Sequence, residues 1–284
     1  MPISESELIL NADGSIYHLG LRPGEVGDFI ITVGDPDRVA MVSAYFDSIE
    51  LKRQRREFVT HTGYLGKQRL SVISSGIGTD NVEIVMTELD ALFNIDFNAR
   101  SVEPTPTQLR FIRLGTSGSL REDLPVDSLA YSETAIGLDS LMVFYPLPQS
   151  EKERQRGQSL QKALQLPFTP YCVPASPALV RRYSAGFTAS HTLTCPGFYA
   201  PQGRSLRIPL KTDNYLNIIK NQPLNNYLFG NLEMETAGYY AFARLLGHDF
   251  LSLQAIMANR VTGEFSKRPE ETIRTMIETT LANL

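Results

Sequence analysis

Short apolar runs rich in β-branched residues alternate along this chain with amphipathic stretches of helical period, and that alternation restricts the fold more than any other feature. Phe29 to Val33, Leu70 to Ile73, Leu109 to Leu114 and Phe250 to Met257 read as buried strands. Between them, Val82, Val85, Met86, Leu89, Leu92 and Phe93 share one helical face, opened by Asp80 or Asn81 as a cap. A further helix is expected from Glu235 to Leu246. The last begins near Pro269, which suits a first helical turn, and sets Ile273, Met276, Ile277 and Leu281 on one stripe. Strands that feed helices in turn predict an α/β fold: a single domain over residues 1–284, with a central mixed β-sheet flanked by helices.

No linker, repeat or low-complexity tract divides the chain. Two stretches look inserted, Asn98 to Gln108 with its two prolines and the region from Tyr145 to Arg156, which turns from apolar to strongly charged. The first is expected to be a surface excursion. A formal charge of −4 gives no general attraction for nucleic acid or an anionic membrane, so anion binding must come from individually placed arginines. The start of the chain carries no basic segment followed by an apolar core, and no apolar run is long enough to span a bilayer, so the expected location is cytoplasmic. Cys172 and Cys195 are too few for a disulfide scaffold and read as reduced thiols in packing positions. The four histidines are scattered, which disfavours zinc.

Several runs carry chemistry. Gly34 to Arg38, GDPDR, follows an apolar strand and precedes a helical segment. Backbone amides at such a helix start accept an anion, Gly34 permits close approach, and Arg38 offers a planar charged fork to two phosphate oxygens. The same run equally suits a plain strand-to-helix turn with an exposed arginine. Arg113 to Ser119, RLGTSGS, repeats the theme: an arginine before a loop of small residues in which Thr116 and Ser117 can donate to oxygens and Gly118 lets a planar ligand lie against the backbone. It also reads as a simple turn, and its glycine spacing is one residue short of a nucleophile elbow. Gly76 to Asn81, GIGTDN, lacks the third glycine of a dinucleotide fingerprint and is expected to turn the chain tightly before a helix. Glu233, Met234 and Glu235 open a helix. The carboxylates there either serve the helix dipole or accept from vicinal sugar hydroxyls, with Met234 covering the sugar face. The loop from Pro196 to Pro209 holds Phe198, Tyr199, Gln202 and Arg204, side chains that mark a site.

Taken in order, YHLGL, GDPDR, RREF, GIG, RLGTSGSL, FYAPQGR, EMET and ANR resemble the nucleoside phosphorylase family over nearly the whole chain. The resemblance implies that family's fold, no cofactor, and inorganic phosphate as co-substrate. It implies phosphate contacts from Gly34, Arg38, Arg113 and Thr116, with Arg56 reaching the phosphate of a neighbouring subunit. His18 would cross the same interface to the ribose, where Met234 and Glu235 also bind. Sites would then be shared in a homodimer or dimer-based homo-oligomer. Ser117, Gly118, Phe198, Gln202 and Arg204 would hold the base, and the stretch from Val261 to Arg268 would form a mobile flap. A monovalent cation held in some relatives by a Glu, a backbone carbonyl and a Ser matches Glu57 and Ile77, but Asn81 replaces the serine.

Base choice is set by two places. Purine-specific relatives carry a Ser-Asp pair after the late strand, where this chain has Asn259 and Arg260. A departing uracil is an anion and calls for fixed donors and positive charge, which Gln202 and Arg204 supply. The expectation is therefore phosphate-dependent cleavage of uridine, or a related pyrimidine nucleoside, to the base and ribose 1-phosphate. Catalysis would rest on Arg38, Arg113, Thr116, Gln202, Arg204 and Glu235, with no nucleic acid or membrane as partner. The alternatives are a purine phosphorylase or nucleosidase of the same fold, or a non-catalytic nucleoside-binding protein.

Overall fold

The computed structural model describes residues 2–212, 214–221 and 228–284. Its elements, in chain order, are β1 (Phe29–Val33), α1 (Pro36–Ser43), β2 (Ser48–Arg55), β3 (Phe58–Leu65), β4 (Gln68–Ser74), α2 (Thr79–Asn94) and the two-residue strands β5 (Ile95–Asp96) and β6 (Ser101–Val102). They continue with β7 (Arg110–Ser119), β8 (Leu129–Gly137), α3 (Glu151–Leu164), β9 (Tyr171–Pro174), α4 (Pro177–Tyr183) and β10 (Thr188–Thr194). The chain closes with α5 (Tyr215–Asn221), β11 (Asn231–Glu233), α6 (Thr236–Leu246), β12 (Asp249–Asn259) and α7 (Pro269–Leu281).

The main sheet runs β11-β10-β8-β12-β7-β1-β4-β3-β2, with β9 on β8. Its centre is parallel: β1 pairs with β4 and β7, and β7 with β12. All five residues of β1 are buried, as a strand covered on both faces requires. The outer pairings of β2 with β3 and of β3 with β4 are antiparallel, so the sheet is mixed, as the alternating pattern predicts. One further pairing shapes the site. β11 lies antiparallel to the end of β7, Leu232 opposite Gly118 and Asn231 opposite Ser119, which closes β7, β12, β8, β10 and β11 into a ring. The chain leaving β11 therefore runs back along β7 and carries Glu235 toward Arg113.

Helices pack on the sheet through the stripes expected of them. Ile273, Met276, Ile277 and Leu281 of α7 are buried, as are Val82, Val85, Met86, Leu89 and Leu92 of α2. Each such side chain contributes about 1.5–3 kcal/mol when removed from water. Phe250 stacks on Tyr239 at 4.5 Å and on Phe111 at 5.4 Å, joining α6, β12 and β7.

Three local expectations are corrected. The cap of α2 is Gly78 at φ 96°, not Asp80 or Asn81; the tight turn through Gly76 and Gly78 starts the helix at Thr79. Arg113 to Ser119 is not a loop or turn but the second half of β7, because β12 pairs with it along its whole length. The charged part of Tyr145 to Arg156, which looks inserted in the sequence, is tied into the fold as the start of a helix. Ser150 and Glu153 form a reciprocal capping box that starts α3, and Arg244 of α6 grips the buried Glu153 at 2.9 Å. Asn98 to Gln108, by contrast, is largely exposed.

Candidate active site

The C-terminal ends of β1 and β4, where open α/β sheets gather ligands, lie beside Arg113 in the middle of β7. This side chain is 3% exposed and is held by Glu235, which accepts from its Nη2. Its Nε and Nη1 have no partner among the described residues. Gly115 leaves the space it occupies, since a Cβ there would stand only 1.6 Å from its Nη1, while Gly34 lies beside it, with a Cβ position in ordinary contact at 4.0 Å from its Nη2. Arg38 reaches in from α1 and donates from Nη1 to the Leu114 carbonyl at 3.2 Å. Burial and the neighbouring Arg113 charge both lower the proton affinity of Arg38, yet a guanidinium stays charged in the neutral range. The buried Arg113, paired by Glu235, and the half-buried Arg38, with Asp35 as its nearer carboxylate, thus stand together, and buried N–H groups of Arg113 are left over. Such a surplus accepts an anion with several oxygens.

The expected anion site at the helix start is reduced in one respect. Asp35 caps α1 by accepting from the Asp37 amide at 3.0 Å, so a carboxylate stands where an anion was expected to meet the amides. Gly34 and the two arginines remain as the donors and open space. Thr116 is half-buried two strand positions beyond Leu114.

Glu235 is buried and fixed on both oxygens, by the Gly78 amide at 2.9 Å and by Arg113. Burial is the largest influence on its carboxyl and pushes its pKa up. The Arg113 charge opposes this and Glu233 adds to it. An ionised carboxylate offers about four acceptor directions, so two remain after these bonds. Met234 beside it is half-buried.

Further along β7 lies a second group. A short 3-10 turn, Ala200–Gln202, closes at Gly203 in the left-handed region, φ 68°, where a Cβ would collide with Leu216 at 2.5 Å. The turn buries Gln202 and aims Arg204 back at its own loop. Arg204 lies over the Phe198 ring at 3.8 Å and donates from Nη1 to Gln202 Oε1 at 2.6 Å and to the Phe198 carbonyl at 2.7 Å. Its Nη2 would stand 3.9 Å from a Cβ on Gly118. Burial, then the charge of Arg260, lowers the Arg204 pKa to about 10. Arg260 braces the turn from behind, bonding the carbonyls of Gln202 and Gly203 at 3.4 Å. Ser117 between the two groups is buried, with a hydroxyl that has no partner among the described residues. Asn259 takes no part: its side chain is consumed by the carbonyls of Arg121 and Leu124 and the amides of Val261 and Thr262. Gly115 and Gly118 are three strand residues apart, or about 10 Å, so β7 is the ruler between the arginine pair and the Gln202–Arg204 pair.

His18 and Arg56 are not brought into this cleft. His18 is tied to Glu88 of α2 through its ring Nδ1 at 2.6 Å, and the Leu19 amide adds a bond to the same carboxylate at 2.8 Å. Arg56 sits exposed at the β2–β3 turn with φ 54°. The two share one patch through Tyr17, which lies 5.6 Å under Arg56 and edge-on to His18 at 4.7 Å. Glu57 and Asn81 meet around Gly76, whose Cβ would lie 3.4 Å from Glu57 Cγ and 2.5 Å from Asn81 Nδ2, while Ile77 is 67% exposed. Among the described residues no three His, Cys, Asp or Glu side chains gather as a metal site, and no helix is long and apolar enough to cross a membrane.

Sequence reasoning missed Gln254. It is fully buried on β12, donates to Ser252 Oγ at 2.7 Å and Thr236 Oγ1 at 3.2 Å, and leaves Oε1 facing the Gly115 position at 2.8 Å. The signal was present: Ser252 and Gln254 are polar residues two apart inside an otherwise apolar strand, hence on one face.

Comparison with known proteins agrees with this geometry. A model of the Phosphorylase superfamily matches residues 28–282. A uridine phosphorylase of Thermococcus kodakarensis is 29% identical over 262 residues, 91% of this chain and 83% of that protein. A DeoD-type purine nucleoside phosphorylase of Colwellia psychrerythraea is 24% identical over 270 residues, 94% of this chain and 98% of that one. Among solved structures, a Trypanosoma brucei nucleoside phosphorylase described as showing uridine phosphorylase activity superposes with a TM-score of 0.89 at 26% identity, covering 98% of this chain and 99% of that one. A match that spans nearly the whole chain places it in the Phosphorylase superfamily, as a pentosyl-transferring enzyme of the nucleoside phosphorylase type.

Proposed function

We propose that the nucleoside is a pyrimidine, uridine or a close relative, and that the products are uracil and ribose 1-phosphate. The observation that carries this reading is the Gln202–Arg204 pair with Arg260 behind it: the base end of β7 is positive and amide-lined, and the purine relatives' acidic position is filled by Arg260. A leaving uracil anion needs fixed donors and positive charge rather than a carboxylic acid.

In this mechanism Arg38 and Arg113 hold inorganic phosphate with Gly34 and Thr116, and no cofactor is used. Glu235 accepts from the ribose hydroxyls while Met234 covers the sugar face. Phosphate attacks the anomeric carbon as the bond to the base lengthens, and the electron pair of that bond leaves with the uracil. Positioning of the attacking oxygen and fixed charge at both ends supply the acceleration. Phe198 and Arg204 pack against the base, and Ser117 and Gly118 form the floor. His18 and Arg56, both at the Tyr17 patch, would complete the site of a second subunit in a homodimer-based assembly.

The test is release of free base from uridine and from inosine, with and without phosphate, in the parent and in Arg204→Ala. The expected result is strict phosphate dependence, preference for uridine, and loss of uridine turnover in the variant. Preference for inosine would assign the chain to the purine branch, and phosphate-independent release would make it a nucleosidase.

A further inference from the structure

The acidic pair around Met234 is split between two tasks, and only one faces the cleft. Glu235 directly precedes α6, where a side-chain oxygen ordinarily accepts from the first amides of a helix, yet its carboxylate makes no such bond. The helix start is served from outside. Glu233, the last residue of β11, accepts at Oε2 from the amides of Glu235 at 3.0 Å and Thr236 at 2.8 Å, and from Thr236 Oγ1 at 2.7 Å. Its Oε1 accepts from Thr194 Oγ1 of β10 at 2.6 Å. Glu233 is 3% exposed, and these donors occupy both of its oxygens.

We propose that Glu233 is a positioning residue for the reaction: by capping α6 in place of Glu235, it releases the Glu235 carboxylate to the cleft and fixes the peptide that carries it. Through Glu235 it also sets Arg113. The proposal rests on the reading of Glu235 as the ribose-binding carboxylate and Arg113 as a phosphate ligand. The surrounding hydroxyls stiffen the arrangement. Thr194 Oγ1 also accepts from the Ala237 amide at 2.9 Å, and Thr236 Oγ1 lies 2.9 Å from Ser252 Oγ and receives Gln254 Nε2 at 3.2 Å. The carboxylate is thereby tied to β10, α6 and β12 together. A shift of this hub moves Glu235 relative to β7, and misplacement of about 1 Å is enough to cost a large factor in rate.

Glu233 also acts through its charge. The groups that face Glu235 are Arg113 of β7, Arg38 of α1, Glu233 of β11 and Tyr239 of α6. Glu233 is the anion that resists ionisation of its neighbour. Removing that charge lowers the pH at which Glu235 takes up a proton, so the acid limb of the pH–rate profile moves to lower pH.

The experiment compares the full chain with Glu233→Gln, Thr194→Val and Glu235→Gln, using whichever nucleoside the parent cleaves and measuring kcat/KM, its pH profile and thermal unfolding. Glu233→Gln is expected to lose roughly 10- to 100-fold in kcat/KM, the value of a hydrogen bond to a charged group, and to shift its acid limb downward. Thr194→Val, which takes one donor from Glu233 and the acceptor from the Ala237 amide, is expected to lose less in the same direction and carries the test if Glu233→Gln does not fold. A folded Glu233→Gln with unchanged kcat/KM and an unmoved acid limb, beside an inactive Glu235→Gln, overturns the proposal, as does a lowered Tm with full activity per folded molecule. Full activity in Glu235→Gln would instead sink the site assignment, and the proposal with it.

Discussion

Gly115 and Arg113 compete for one volume: a methyl group on Gly115 would lie 1.6 Å from Arg113 Nη1 and 2.8 Å from Gln254 Oε1. The two residues sit on the same face of β7, two positions apart, and the guanidinium folds up along the strand over the glycine. Gly115→Ala is therefore expected to displace Arg113 and lower kcat/KM for phosphate about 100-fold, with a smaller effect on overall folding. Steady-state kinetics with varied phosphate checks this. An unchanged phosphate KM and kcat would mean that Arg113 does not hold the anion.

Arg113 and Glu235 form a buried ion pair. Removing the cation alone leaves a carboxylate unpaired inside the protein, so Arg113→Leu is expected to destabilise by about 3–5 kcal/mol. The double variant with Glu235→Gln should recover most of that loss. Chemical unfolding of the parent, both single variants and the double variant measures the coupling, and strict additivity would deny it.

Phe198 supports Arg204 through its ring face at 3.8 Å. Phe198→Ala removes that support together with the surface proposed to pack against the base, and about a tenfold rise in KM for uridine is expected. The phosphate KM should move little. Equal changes in both would place Phe198 outside the base end.

His191 is held toward its neutral form: burial first, then the charges of Arg156 and Arg121, bring its pKa to about 4 from 6.5. A histidine lowered by folding binds fewer protons in the native than in the unfolded state. Its contribution is complete above pH 6.5 and is lost as pH falls from there through about 4. Across that window His191→Gln should lose less stability than the parent, by about 1–3 kcal/mol. Urea unfolding at both ends of the window decides it, and parallel slopes would refute it.

Ser150 and Glu153 cap α3 reciprocally. Ser150→Ala is expected to cost about 1 kcal/mol, read as a lowered Tm without a change in kcat.

Local signals carried the elements that repeat a period. The buried stripe of α7 and the largely apolar, wholly buried β1 are dictated by residues near one another in the chain, so spacing alone reveals them. The cap S-x-x-E at Ser150 was legible too, but the charge density after it reads equally as exposed loop until Arg244 is seen to pair with Glu153. RLGTSGS was harder. Its glycines and hydroxyls argue for a turn, and only pairing with β12 and β11, far along the chain, keeps it extended.

The order of the motifs was enough to show the family, because side-chain chemistry and sequence spacing are written in the chain itself. The resemblance assigned Glu235 to the sugar and left Glu233 without a role, and what each carboxylate bonds was decided by tertiary structure. Glu233 and Glu235 are chemically alike, two residues apart, and either could cap a helix; Thr194 on one side and Arg113 with Gly78 on the other assign them opposite tasks. The donors that tell them apart come from β10, β7 and the turn before α2, and no local pattern records that those segments meet.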